Sequence, residues 1–326
     1  MTSEFADLSV EQQIETMLPL ARQIVEGYGL GECELESINH EYNSTFKVTV
    51  ANGERFALRI NVNSQRTLAN LKAEIFLIER LASEPNISVP NPVKNSSGEN
   101  ISKAWHPMLE RDLFAVLFAW LEGAELGDEP TEEMMRATGR AMAHMHAASR
   151  ETELPSDAQL PIVDDMFWGY GDAISPSDQL TTDEKATLAQ AVEVVEQTTK
   201  AMYARTEPQL IHADIHPWNV MWHEGDVAVF DFDDCVIGLQ AQDIAVTLYY
   251  NDTEEQDVAF LAGYQEVAPL PDYTEDELRI LRLQRRINLL SYILETENPE
   301  HRAMVPEYLA KTLQRIESVL GSGSST

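Results

Sequence analysis

The chain has 326 residues, 44% of them hydrophobic, and its 55 acidic side chains against 23 basic ones leave a net charge of −32. That apolar content excludes an intrinsically disordered chain, the length suits two lobes better than one small core, and the charge repels nucleic acid and anionic lipid. The acids are spread along the whole sequence, so they read first as a solvated surface and only second as a groove for a cationic substrate. No run of about 18 uncharged apolar residues is present to span a bilayer. The N-terminus, MTSEFADLSVEQQIETM, lacks the basic-then-apolar order of a signal peptide. Cys33 and Cys235 lie far apart with no metal-ligand spacing, and a reducing cytoplasm is the expected location.

In chain order, Ile14, Met17, Ala21 and Ile24 recur at helical spacing and GYGLG ends that helix. TFKVTV places Phe46, Val48 and Val50 on one face of a strand, Asn52-Gly53 signals a hairpin, and RFALRI puts Phe56, Leu58 and Ile60 opposite Ala57 and Arg59. A helix follows with Leu68, Leu71, Ile75, Ile78 and Leu81 on one stripe. Residues 84–100 are rich in Pro, Asn, Ser and Gly and predict loops around short strands, and DLFAVLFAWLEG predicts one buried strand. Beyond residue 131 the spacing predicts helices over 131–149, 181–204, 239–250, 274–295 and 303–319. The expected class is α+β: a β-rich part over 1–119, a helical part over 120–320 and a disordered tail, GSGSST, over 321–326.

One segment breaks the helical pattern. HADIHPWN, from His212 to Asn219, is followed eleven residues later by FDFDDC, from Phe230 to Cys235. VMW and VAVF read as a hairpin, with Asp214 and Asn219 on the loop before it and Asp231 just after it. A carboxylate with an amide oxygen suits a hard cation such as Mg2+. A second carboxylate can take a proton from an incoming hydroxyl. These are the parts of a phosphoryl-transfer site.

The run IHADIHPWNVMW…VAVFDFDDC resembles the catalytic region of the aminoglycoside phosphotransferase/choline kinase superfamily, relatives of the protein kinases. Its wording is similar to the stress-response kinase A and homoserine kinase branches. The resemblance implies a two-lobed protein-kinase-like fold and an ATP- and Mg2+-dependent phosphotransferase acting on a hydroxyl of a small molecule. By position it implies Asp214 as catalytic base and Asn219 and Asp231 as metal ligands. NHEYNSTFKV takes the place of the phosphate-covering loop without any glycine, which leaves Asn43 and Ser44 as its turn residues. Arg59 stands where protein kinases carry lysine, and Glu74, at the border of its helix's apolar stripe, is the expected partner. AVLFAWLEG resembles the hinge that meets adenine, and ATGRAMAHMHAAS the helix that supports the catalytic loop.

Each residue also has a plainer reading. His212 is expected to brace its loop as a buried imidazole bonded to backbone carbonyls, and His216 either bonds to a metal-bound water or packs. Asp233 is expected near the metal without binding it, and Asp243 matches a family acid that anchors the catalytic loop. Arg59 and Glu74 could be a structural ion pair. His144 and His146, two apart, do not share a helix face, and Met134, Met135, Met142 and Met145 read as core. Three preceding aspartates would raise the Cys235 thiol, which argues against a reactive role. The acceptor is expected beside helix DELRILRLQRRINLLSYIL, with Glu277, Glu295, Asp164 and Asp165 as groups for an amine and Trp168 and Tyr170 as pocket aromatics. Two alternatives are a Ser/Thr protein kinase, disfavoured because no activation loop follows DFDDC, and a non-catalytic kinase-fold binding protein.

Overall fold

The structure, a computed structural model, describes residues 5, 7–64, 66–169, 171–296 and 298–321. The tail residues 322–326 and Tyr170 lie outside them. The chain divides into two compact units: Met1–Ala124 with Glu153–Gln159 and Ala228–Asp233, and Glu125–Thr152 with Leu160–Val227 and Asp234–Thr326.

The first unit is built on an antiparallel sheet. Helix α1 (Val10–Glu26) precedes β1 (Cys33–His40), β2 (Asn43–Val50) and β3 (Arg55–Asn61); helix α2 (Leu68–Ala82) follows, then β4 (Pro92–Val93), β5 (Ile101–His106) and β6 (Arg111–Ala119). The order is β1-β2-β3-β6-β4, with β5 also pairing β6. Alternation decides what each face carries. Phe46, Val48, Phe56, Leu58 and Ile60 join Met17, Leu20, Ala21 and Ile24 of α1 in one apolar core. Arg59, of opposite parity, is also buried, and so is Glu74 on α2.

The NHEYN stretch differs from expectation. Asn43 and Ser44 are not turn residues: they open β2, opposite Asn61 and Ile60 of β3, and the turn is left to Glu41 and Tyr42. The physical reason is polar pairing. Asn61 donates from Nδ2 to Asn43 Oδ1 at 2.9 Å, and Ser44 Oγ meets His40 Nδ1 at 2.5 Å, so both side chains are held in the sheet.

The second unit is mainly helical: α3 (Glu132–Ser149), α4 (Thr182–Tyr203), α5 (Gln240–Tyr250), α6 (Glu254–Val267), α7 (Glu275–Glu295), α8 (Pro299–Ala303) and α9 (Val305–Gly321). Short strands interrupt the later part of the chain: β7 (Ala124–Glu125), β8 (Gln209–Ile211), β9 (Val220–His223), β10 (Asp226–Val229) and β11 (Val236–Gly238), with Ala124 and Ala228–Val229 counted in the first unit. The class is α+β, an antiparallel sheet followed by a mainly helical part. Helix starts follow from local chemistry. Thr181 with Glu184, Thr253 with Gln256 and Thr274 with Glu277 form capping boxes that satisfy the first free N–H groups.

Helix α6 was not expected from the sequence. Its buried residues, Gln256, Ala259, Phe260, Gly263 and Tyr264, do repeat at three-to-four spacing, yet only Phe260 among them is strongly apolar and Val258 points to solvent. The stripe is built for closeness instead of hydrophobicity. A Cβ on Gly263 would stand 1.9 Å from the Arg136 carbonyl oxygen, and one on Gly139 2.0 Å from that of Phe260. The α3 and α6 backbones therefore touch directly. Gly263→Ala would gain about 1 kcal/mol of helix propensity, but the collision reverses the sign. Urea unfolding should show a net loss of about 2 kcal/mol, and a neutral or stabilising result would mean that the two helices do not pack this closely.

Candidate active site

The HADIHPWN loop is held from beneath through its backbone. β8 pairs with β11, Gln209–Ile211 against Val236–Gly238, and delivers the chain to Ala213, which takes a left-handed φ of 67°. A non-glycine residue keeps that conformation only where its surroundings impose it. Here Asp243, in the first turn of α5, accepts the N–H groups of His212 at 3.2 Å and Ala213 at 2.8 Å. Its Oδ2 also takes the Nε2–H of His146 on α3 at 2.9 Å. The other nitrogen of that ring meets the Tyr264 hydroxyl of α6 at 2.9 Å. Thr247 donates to the Ile215 carbonyl at 2.8 Å. Burial works to raise the Asp243 pKa, but the His146 hydrogen bond, the two nearby histidines and the Ala213 amide outweigh it and hold the carboxyl below its usual range. His212 Nδ1 accepts the Asp214 N–H at 3.2 Å, so that nitrogen meets an amide where a carbonyl was expected.

Asp214 is the focus of the loop. Asn219 Nδ2 donates to its carbonyl at 2.9 Å and to Oδ2 at 3.2 Å, which turns the Asn219 amide nitrogen inward. His216 Nδ1 accepts the Trp218 N–H at 3.2 Å, leaving Nε2 to face Asp214 Oδ2 at 3.4 Å. The His216 ring lies 4.8 Å from that of Tyr250. Arg285 on α7 pairs with Asp214 Oδ1 and donates to the Tyr250 hydroxyl at 2.9 Å. Desolvation would raise Asp214, yet Arg285, His216 and His212 drive its pKa far below the ordinary value, so it is an ionised acceptor at neutral pH. Burial and the neighbouring Asp214 push the Tyr250 hydroxyl up to about 12, so that proton stays in place.

The first unit carries the other candidates. Arg59 Nη2 meets Glu74 Oε2 at 2.6 Å with both side chains buried, the pairing expected from the sequence. Arg59 Nη1 lies 3.7 Å from Asp231, which follows β10 with a φ of 60°. Asp233 Oδ2 accepts from Asn43 Nδ2 at 3.3 Å. Asn43 thus links β2 to the DFDD segment through its side chain, and Ser44 is bonded to His40 instead of standing in a phosphate-covering turn.

Other expectations fare differently. Glu277 caps the start of α7 and pairs with Arg205 at 2.8 Å, which occupies it structurally. Asp164, Asp165 and Glu295 are exposed. Trp168 is buried with Val163, Ile211, Ala213, Val236 and Val246, against Tyr250, at a strained φ of 54°. Sequence reasoning missed His146, Arg285 and Tyr250. A signal existed for Arg285: Gln284, Arg285 and Asn288 fall where the apolar repeat of α7 calls for buried residues.

Asp243→Ala should lower stability by about 3 kcal/mol at pH 7, because it leaves His146 and two loop amides without their buried acceptor. The folded pKa is depressed, so the carboxylate's contribution is fully present above the ordinary aspartate value of about 3.9 and is lost as pH falls through the lower folded value. Urea titrations of wild type and variant should stay apart from pH 7 to 5 and converge only below pH ~4.

Comparison with known proteins accords with this geometry. The profile of the phosphotransferase enzyme family matches residues 34–281. A homoserine kinase of Brucella anthropi is 30% identical over 222 residues, 63% of this chain and 62% of that protein. Among solved structures, a microcompartment-associated aminopropanol kinase superposes with a TM-score of 0.80 at 21% identity, covering 94% of this chain and 98% of that one. An amicoumacin kinase in complex with AMP-PNP, Ca2+ and Ami gives a TM-score of 0.75 at 18% identity, covering 97% and 96%. The match spans the sheet strands, the Asp214 loop and the first turns of α7, and this chain belongs to the phosphotransferase enzyme family.

Proposed function

We propose that this protein is an ATP- and Mg2+-dependent kinase that phosphorylates a hydroxyl of a small molecule. The observation that carries the reading is Asp214: a carboxylate paired with Arg285 on a loop whose backbone is fixed at His212, Ala213, Asp214 and Ile215. Family membership supplies the reaction class. Relatives named as kinases of homoserine, aminopropanol and amicoumacin support a small acceptor, and AMP-PNP with Ca2+ in one of them supports a nucleoside triphosphate and a divalent cation.

In this reading Asp214 takes the proton of the acceptor hydroxyl. The acceptor oxygen bonds to the γ-phosphorus as the bond from that phosphorus to the β–γ bridging oxygen breaks, and ADP leaves. Each expected ligand is by itself of the type Mg2+ takes, since that ion prefers oxygen ligands and keeps several waters. Asn219 turns its nitrogen to Asp214, which leaves its carbonyl oxygen for a cation, and the Asp231 side chain is 43% exposed. When bound, Mg2+ neutralises charge developing between the β- and γ-phosphates. Arg59, braced by Glu74, offers the phosphates a fixed guanidinium fork.

A melting curve with Mg·ATP is the test. At a hundredfold excess over Kd the wild type should gain about 2.7 kcal/mol, and Asp231→Asn should lose most of that shift. Asp214→Ala should keep the shift while turnover falls about a thousandfold. If neither wild type nor Asp214→Ala responds to Mg·ATP, the kinase reading fails.

A further inference from the structure

Most buried side-chain polar atoms of the second unit that lack a hydrogen-bond partner among the described residues belong to four side chains. They are Trp168 Nε1, Gln284 Oε1, Arg285 Nε and both amide atoms of Asn288. Gln284 is 0% exposed, Trp168 6% and Arg285 9%. Buried groups of this kind cost about 1–3 kcal/mol each when left unsatisfied, so a concentration of them calls for an occupant.

Their connections lead to the candidate base. Gln284 and Arg285 are adjacent on α7, and Asn288 stands four and three residues further on, over the same turn. Gln284 Nε2 donates to the Asp165 carbonyl at 3.1 Å, tying the 163–168 segment to α7. That segment is also anchored at Val163, whose carbonyl accepts from Gln242 at 2.9 Å. It ends in Trp168, which packs in the cluster that Tyr250 flanks. The Arg285 guanidinium lies 5.5 Å from the Tyr250 ring centre and bonds to both Tyr250 and Asp214.

The chemistry of this cluster selects a ligand class. Arg285 Nε–H, Trp168 Nε1–H and Asn288 Nδ2 are donors, Gln284 Oε1 and Asn288 Oδ1 are acceptors, and Arg285 brings a fixed positive charge beside its own free donor. An ammonium would face that charge. Asp214 Oδ1 is held by Arg285 and Oδ2 by Asn219 and His216. An acceptor hydroxyl that takes Oδ1 must therefore displace or share Arg285. A buried guanidinium that loses its carboxylate is strongly disfavoured unless a replacement arrives. An acceptor bearing its own carboxylate supplies the replacement on the same molecule.

We propose that the acceptor is a small hydroxy acid or hydroxy-amino acid, whose carboxylate is bound by Arg285 with Trp168 and Asn288 while its hydroxyl takes Asp214. The proposal rests on the kinase reading for the reaction, and on the cluster alone for the ligand.

Three probes separate the possibilities: 4-hydroxybutyrate, L-homoserine and 1-amino-2-propanol, which carry a carboxylate, both charges and only an amine. Binding is read first by thermal shift on the nucleotide-free chain. The two carboxylates should stabilise the wild type, and the amino alcohol should not. Arg285→Gln should abolish that stabilisation and Arg285→Lys should retain part of it. In turnover with Mg·ATP, Asn288→Asp places a like charge beside the carboxylate. It should lower the ratio of kcat/KM for L-homoserine over 1-amino-2-propanol by about tenfold or more.

A wild type that binds or prefers the amino alcohol overturns the proposal, and so does a wild type that binds neither carboxylate. So does an Asn288→Asp enzyme with an unchanged ratio. An Mg·ATP shift without carboxylate binding would leave the kinase reading intact and remove only this one. Carboxylate binding without any response to Mg·ATP would do the reverse.

Discussion

The site depends on one carboxylate. Asp243 receives two consecutive backbone amides of the loop and a histidine from another helix, and those bonds hold Ala213 in a left-handed conformation. Without that anchor the strained residue would relax and Asp214, next in the chain, would turn away from Asn219 and Arg285. Ionisation makes the anchor effective. A neutral side chain could accept the same amides, but charge-assisted bonds are roughly twice as strong, and burial excludes competing water. The chain thus places the decisive contact one helix away from the loop whose geometry it sets.

Two further buried ion pairs, Arg59–Glu74 and Arg285–Asp214, belong to different units and do different things. Neither is an economical way to stabilise a fold, since desolvation offsets most of the attraction. In the first, the carboxylate fixes the direction of the guanidinium. In the second the guanidinium occupies one oxygen of the carboxylate, the contact that the proposed acceptor would have to rearrange.

Much of this was legible because the signals were local. The strand alternation around Phe46 and Leu58, the stripe of α2 and the density of polar groups between His212 and Asp233 all lie within short windows of sequence. The pairing of Arg59 with Glu74 was readable as well, from the resemblance that expects a cation at Arg59 and from the place of Glu74 at the border of its helix's apolar stripe. Three things were hidden for physical reasons. Asn43 and Ser44 resemble turn formers, and only their partners Asn61, His40 and Asp233, distant in sequence, make them strand residues. Arg285 looked like one more charge on a polar helix by residue type, and only its place in the apolar repeat of α7 hinted that packing would bury it. Helix α6 was disguised by its own packing, which selects small side chains where a reader looks for large ones.

That last feature reaches further than one helix. Gly139 and Gly263 let two main chains meet without side chains between them, and the same two helices carry His146 and Tyr264, whose bond orients the ring that supports Asp243. Side-chain contacts can be repacked by compensating substitutions, whereas a main-chain contact has no smaller residue to fall back on. The distance from α6 to α3 is therefore a fixed dimension of the scaffold. Substitutions can accumulate on the outer faces of both helices without altering the ruler against which the loop is set.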